Sequence, residues 1–197
     1  MSARPVRLGV LLSGTGRTLV NLLDKIRLGA LAAEVVVVVS DRASVLGLTR
    51  AQEAGIPHFV DRAAPSTFDL LRRHRVDLVC LAGYLRLLRI PPDFAGRVLN
   101  IHPALLPKFG GKGMYGHHVH EAVLTAGERE SGCTVHLCDD EYDRGRILLL
   151  HKVPVLPGDD ADALAARVFA AECEAYPLAI AQWAARATGP DGPQNPQ

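Results

Sequence analysis

Within Val98 to Lys108, VLNIHPALLPK, a carboxamide and an imidazole stand two residues apart, at Asn100 and His102. Val98, Leu99 and Ile101 predict a short buried strand, and Pro103, with no amide hydrogen to offer a ladder, predicts its end. Alternate side chains of a strand share a face, so Asn100 and His102 should point the same way while Ile101 points into the core. Strand ends are where open α/β sheets bind ligands. There a carboxamide N–H can hold a carbonyl oxygen, and an imidazole can donate a proton to it or stabilise its developing charge. A strand end whose two polar side chains merely cap the loop has the same spelling.

Four other groups could serve such chemistry. Asp139 to Asp143, DDEYD, is a dense acidic turn. It reads as a solvated face, and it lacks the glycine position and distal glutamate of an EF-hand calcium loop. Asp143, followed by Arg144 and Gly145, sits at a bend that can bring a carboxylate to His102. A neighbouring carboxylate favours imidazolium, so His102 is expected to have a raised pKa. Ser13-Gly-Thr-Gly-Arg-Thr18 joins a predicted strand to a predicted helix, where glycines and exposed helix N–H groups suit a phosphate. Arg17 adds charge and Thr18 a hydroxyl. A dinucleotide fingerprint, with Asp41 as ribose partner, fails at its third glycine, where Leu19 stands, so a single phosphate fits better. An ordinary tight turn is the alternative. His117, His118 and His120 lack the spacing of a zinc site, with His136 far off in sequence, and read as surface histidines at a helix start. Glu172 flanks the apolar stripe of Leu164 and Val168, either as a rim residue or as a ligand for an amine or hydroxyl. No GxSxG elbow appears, and no cysteine has an evident base.

The elements that must position these residues follow from hydrophobic patterning. Val6–Leu12, Val35–Val39, Ile56–Val60, Asp77–Ala82 and Val98–His102 read as strands, the turn Ser13–Leu19 opens a helix through about Leu28, and further helices are expected over about 46–54 and 67–74, with a helical turn at Pro91. This βαβαβαβ alternation implies a parallel, doubly wound sheet with right-handed crossovers. Beyond the Gly-rich loop Lys108–Gly116 come a helix over about 117–126 and strands at Cys133–Cys138 and Ile147–Val155, read as a hairpin. Asp159 or Asp160 caps a final helix that Pro177 should kink or divide. No packing helix is expected from about Ala185 onward. A single domain over 1–188 and a disordered tail over 189–197 are expected. A net charge of +1 offers no footprint for nucleic acid, and no apolar run is long enough for a membrane span. Met1–Arg7 lacks the apolar core of a signal peptide, and the four cysteines show no CxxC spacing, so a cytoplasmic protein with reduced thiols is expected.

Taken together, Asn100-Ile-His-Pro-Ala-Leu-Leu-Pro107, Ser13-Gly-Thr-Gly-Arg-Thr-Leu19 and Asp140-Glu-Tyr-Asp-Arg-Gly145 resemble the phosphoribosylglycinamide formyltransferases over about Val6 to Trp183. The resemblance implies a Rossmann-like α/β fold, a mostly parallel mixed sheet with helices on both faces and a C-terminal β-hairpin and long helix. It implies formyl transfer from 10-formyltetrahydrofolate, as cosubstrate and without a metal, to the amine of glycinamide ribonucleotide in purine synthesis. By position it makes Asn100, His102 and Asp143 catalytic, Gly16, Arg17 and Thr18 the phosphate turn, and Glu172 the residue that meets the substrate amine or ribose. The folate would lie against Leu85, Arg86, Leu87 and Leu88, Asn100, and Asp139, Asp140, Glu141, Tyr142 and Asp143. The partners are small molecules, with no nucleic acid or membrane, and the chain is a monomer or homodimer.

The chain departs from that pattern in three places. Arg17-Thr18 replaces the usual Ser-Asn, the loop Phe109–Gly116 is longer and could form a lid with Lys112 as an extra cation, and the short segment 60–77 lacks a clear basic folate contact. Several rival readings share part of this pattern. Formyltetrahydrofolate hydrolase shares the Asn, His and Asp but has an N-terminal regulatory domain and typically a His where Pro103 stands. Methionyl-tRNA formyltransferase needs a C-terminal RNA-binding barrel. A sugar-nucleotide formyltransferase gives no reason for this phosphate turn. A non-catalytic phosphate- or nucleotide-binding module would keep the glycine turn but have no need of Asn100, His102 and Asp143 together.

Overall fold

Each aliphatic run read as a strand forms one in the computed structural model, which describes residues 4–187. The strands are β1 (Val6–Leu12), β2 (Ala33–Ser40), β3 (His58–Val60), β4 (Leu78–Leu81), β5 (Val98–His102), β6 (Glu130–Leu137) and β7 (Ile147–Pro154). They form one sheet in the order β3-β2-β1-β4-β5-β6-β7. The first five are parallel, and β6 and β7 add an antiparallel hairpin at the edge beside β5. The short, Pro-flanked β3 takes the other edge.

The valines of β2 show why the sheet is covered on both sides. Val35 and Val38 join the core beneath α1 (Arg17–Arg27), α2 (Leu46–Glu53), α4 (His117–Thr125) and α5 (Ala161–Ala187). Val36, Val37 and Val39 join a second core, against α3 (Ala64–Arg73) and the 3-10 turn Pro92–Phe94. A strand buried on both faces needs no alternation of polar residues, which is the pattern of a parallel interior strand. The chain leaves β1 toward β2 and β3, then returns through α3 to β4 on the other side of β1. The strand order therefore reverses between β1 and β4, and a crevice opens outside their carboxyl ends. The backbone closes that region: the Ser13 N–H donates to the Gly83 carbonyl, 3.1 Å, and the Leu85 N–H to Ser13 Oγ, 3.0 Å.

Pro177 does not divide the last helix, which runs unbroken from Ala161 to Ala187. A proline strips the carbonyl four residues earlier of its helical donor. Here that carbonyl belongs to Cys173, and the Asn21 carboxamide of α1 donates to it instead at 3.0 Å. The helix also outlasts its expected end near Ala185 by two residues, with Trp183 Nε1 donating to the Gly96 carbonyl at 2.8 Å near that end. Asp160 is the cap, accepting from the Ala163 N–H at 2.8 Å, while Asp159 pairs with Arg167 at 2.6 Å. The tail 189–197 lies outside the described residues. Among those described, no helix is long and apolar enough to cross a membrane.

Candidate active site

Asn100 and His102 share a face of β5 at the carboxyl end of the sheet, as the alternation requires. The neighbouring strand supplies a residue missed in the sequence. In the antiparallel register Asn100 lies opposite His136 and His102 opposite Thr134. The His136 Nδ1–H donates to the Leu137 carbonyl at 3.0 Å, which leaves Nε2 to accept from Asn100 Nδ2 at 3.1 Å. The other Asn100 amide hydrogen meets Asp143 Oδ1 at 3.3 Å. That longer bond is the one a ligand oxygen can share. Alternation over Cys133–Cys138 puts Thr134 and His136 on one face, but only the register brings His136 beside Asn100.

His102 is 3% exposed, and both of its ring nitrogens have neighbours. Nε2 lies 2.7 Å from the Phe109 carbonyl, which can only accept, so Nε2 carries hydrogen. Nδ1 lies 3.5 Å from Asp143 Oδ2 and is the position where a proton can come and go. The raised pKa expected for His102 is not found. Burial pushes the imidazole below its ordinary value; Asp143 and the Phe109 carbonyl pull it up, and His136 pushes it down. The carboxylate was rightly located, but the loss of water around the ring outweighs it.

Asp143 is held by the segment that holds His102. Burial alone would raise its pKa, yet the His136 ring 3.4 Å away, His102 and the Gly111 N–H bring it below the ordinary carboxylate value. The Gly111 N–H donates to Asp143 Oδ2 at 2.9 Å. Phe109 and Asp143 both adopt left-handed backbone, with φ of 56° and 57°. Such strain costs of the order of 1–3 kcal/mol per residue and clusters at functional sites. A methyl at Gly145 would collide with the Leu137 carbonyl, so the glycine lets the Asp139–Asp143 turn fold back against β6.

One cavity of about 560 Å³ joins these groups to the rest of the predicted site. Its lining includes Gly16, Arg17 and Thr18, at the start of α1. Gly16 is left-handed, φ 74°, and a methyl there would meet the Gly47 backbone of α2, so this close approach falls at Gly16 and not at Leu19, which is buried in the core. The helix start has no side-chain cap, and the Arg17 guanidinium stacks on the Phe169 ring at 4.2 Å. Glu172 faces the cavity from α5, and burial pushes its pKa up to about 7 against the pull of Arg17. Leu85, Arg86, Leu87 and Leu88 also line it, with Asp139, Glu141, Tyr142 and Asp143. Asp140 is exposed and outside this lining, because the turn directs it to solvent. Asp41, though buried, also lies outside it.

The histidine cluster divides. His117 and His118 are exposed and lie near Glu121 and Asp162, at 3.4 Å, as surface residues should. His120 is buried and lines the cavity, contrary to expectation, because α4 docks with that face inward. Among the described residues no group of His, Cys, Asp or Glu is arranged to hold a metal ion.

Comparison with known proteins agrees with this architecture. The family model described as formyl transferase matches residues 6–180. A trifunctional purine biosynthetic protein adenosine-3 from Drosophila melanogaster is 45% identical over 194 residues, covering 92% of this chain, which spans only 14% of that protein's length. Phosphoribosylglycinamide formyltransferase from Haemophilus influenzae is 37% identical over 88% of this chain and 85% of its own. The crystal structure of phosphoribosylglycinamide formyltransferase from Brucella melitensis superposes with a TM-score of 0.83 at 40% identity, covering 92% of this chain and 96% of that one.

Proposed function

Since the chain belongs to the formyl transferase family, we propose that it moves the formyl group of 10-formyltetrahydrofolate to the amine of glycinamide ribonucleotide, a step of purine biosynthesis. The observation that carries this reading is the convergence of Asn100, His102 and Asp143 in one cavity that is also lined by a phosphate-type helix start and by an apolar segment with an acidic turn.

The donor supplies an activated formyl carbon. Transfer forms a bond from the amine nitrogen to that carbon and breaks the bond to the folate nitrogen. One proton leaves the amine and one reaches the folate nitrogen. Asn100, sharing its longer hydrogen bond, holds the formyl oxygen as it gains charge, and His102, neutral at rest, takes up the amine proton at Nδ1 so that its charge then favours that oxygen. Asp143 stabilises the imidazolium across 3.5 Å and passes the proton through Nδ1, with a water able to bridge the gap. The Phe109 carbonyl fixes the ring's orientation, so His102 needs no search for its geometry. Arg17 and the N–H groups of Gly16 to Thr18 hold the phosphate. Glu172 accepts from the amine or the ribose, and Leu85, Leu88 and Tyr142 wall the flat heterocycle. Arg86 and the acidic turn face its polar edges.

All four cysteines are free thiols, in keeping with the cytoplasm where we place the reaction, and both partners in it are small molecules. The test is a formyl-transfer assay with glycinamide ribonucleotide and 10-formyltetrahydrofolate, run beside a control lacking the amine. Formyl transfer far faster than loss of formate to water supports the reading. Formate release at the same rate with and without the amine would make the chain a hydrolase. Binding of the ribonucleotide with no turnover of either kind would make it a binding module.

A further inference from the structure

Helix α4 turns His117 and His118 outward and buries His120, 4% exposed, in the cavity wall. The His120 Nδ1 is sealed from solvent and has no hydrogen-bond partner among the described residues. Burial, His117, His102 and Arg17 together keep the ring below its ordinary pKa, so it is neutral near pH 7. A buried polar group without a partner costs about 1–3 kcal/mol. That cost is accepted at Nδ1, while the other ring nitrogen, neither sealed nor bonded to a described residue, is left open to the cavity for a ligand.

With Nδ1 sealed, only Nε2 can meet that ligand. Orphaned buried N–H groups are rarer than acceptors short of a donor, which puts the bare lone pair on Nδ1 and the hydrogen on Nε2. The ring is thus an uncharged donor facing the cavity, and it asks for an oxygen. Arg17 lies near it on the side of the phosphate turn and His102 on the side of the reaction centre. In a phosphorylated sugar amine, what separates phosphate from amine is the sugar. An uncharged donor at that position also leaves the phosphate to Arg17 and does not compete for it.

We propose that His120 donates a hydrogen bond to a ribose hydroxyl of the phosphorylated amine substrate, making the site selective for ribose over deoxyribose. The inference rests on the functional reading above only in taking the substrate to be a sugar phosphate.

The test measures binding of ribose 5-phosphate, 2-deoxyribose 5-phosphate and 3-deoxyribose 5-phosphate by calorimetry, and then steady-state kinetics, for the wild type, His120→Leu and His120→Gln. The wild type should prefer ribose 5-phosphate over at least one deoxy sugar by about tenfold, the worth of one hydrogen bond. His120→Leu should bind all three alike at the weaker level. His120→Gln, whose amide nitrogen reaches the place of Nε2, should recover part of the preference. In the full reaction His120→Leu should raise KM for the ribonucleotide about tenfold while kcat and KM for the formyl donor move less than about threefold. If His120→Leu does not fold, His120→Phe, which keeps an aromatic ring without the nitrogens, carries the same expectation. A wild type indifferent to the sugar hydroxyls, or a variant that discriminates as the wild type does, overturns the inference. Sugar selectivity that depends on His120, in a chain that transfers no formyl group, would instead sink the functional reading and leave this one standing.

Discussion

Removing the His102 imidazole or the Asp143 carboxylate should lower turnover at least about a hundredfold, the usual worth of a positioned acid or base. The thermal midpoint should move little by comparison. Wild-type turnover in either alanine variant would remove the catalytic assignment. A second expectation concerns Glu172, whose carboxyl loses its proton near pH 4.5 in the unfolded chain and near 7 in the folded one. Between those values the folded chain holds a proton that the unfolded chain has released, so stability falls as pH rises. The stabilisation is fully present below about 4.5 and is lost as pH passes through about 7. At about 1.36 kcal/mol per pKa unit this amounts to roughly 3 kcal/mol at most. Glu172→Gln cannot titrate, so its unfolding free energy relative to wild type should climb by a few kcal/mol between pH 4.5 and 7.5. A flat difference across that range would mean the carboxyl is solvated. These roles were only partly legible in the sequence. Asn100 and His102 could be paired from strand alternation, and Asp143 from the bend that carries it. His136 could not, since its place depends on how β5 and β6 register. The pKa of His102 could not either, because burial decides its direction.

At the scale of elements, the unbroken α5 makes the clearest departure from sequence reasoning. A proline inside a helix ordinarily reads as a break because its effect on the preceding turn is local, whereas the repair comes from Asn21, 152 residues away from Cys173 in sequence. No local pattern carries that information. Asn21→Ala should leave the Cys173 carbonyl without a donor and destabilise the fold by about 1–2 kcal/mol. In a Pro177→Ala background the helix regains its own N–H at position 177, and Asn21→Ala should then be nearly neutral. Denaturant unfolding of the two single variants and the double variant gives the coupling directly. An equal loss in both backgrounds would mean that Asn21 acts through some other contact. The boundaries of β1, β2 and the hairpin were legible because runs of branched aliphatic residues and Gly punctuation mark them locally. The inward face of α4 was not, because its short, His-rich helix carries too few apolar residues to show which side docks.

Across the whole molecule, the site belongs to neither half of the sheet. The parallel half contributes the Gly16–Thr18 turn and the Leu85–Leu88 segment at the switch between β1 and β4, and the antiparallel hairpin contributes His136 and Asp143. Leu85–Leu88 and the Asp139–Asp143 turn line the same cavity as residues of α1 and α5. Under the proposed function both substrates would share this one space, which Asn100, His102 and Asp143 line or border. Cys138 lines it, but burial and the neighbouring Asp143 and Asp139 push its thiol far above the range in which it could act as a nucleophile. The proposed reaction is direct attack in a complex of both substrates. Initial rates measured against each substrate at several fixed levels of the other should then give intersecting double-reciprocal lines. Single-turnover experiments with the formyl donor alone should leave no formyl group covalently on the protein. Parallel lines, or a formylated enzyme detected by mass after exposure to the donor alone, would show that the group passes through a side chain. Such a result would break the link drawn here between a continuous cavity and a one-step transfer.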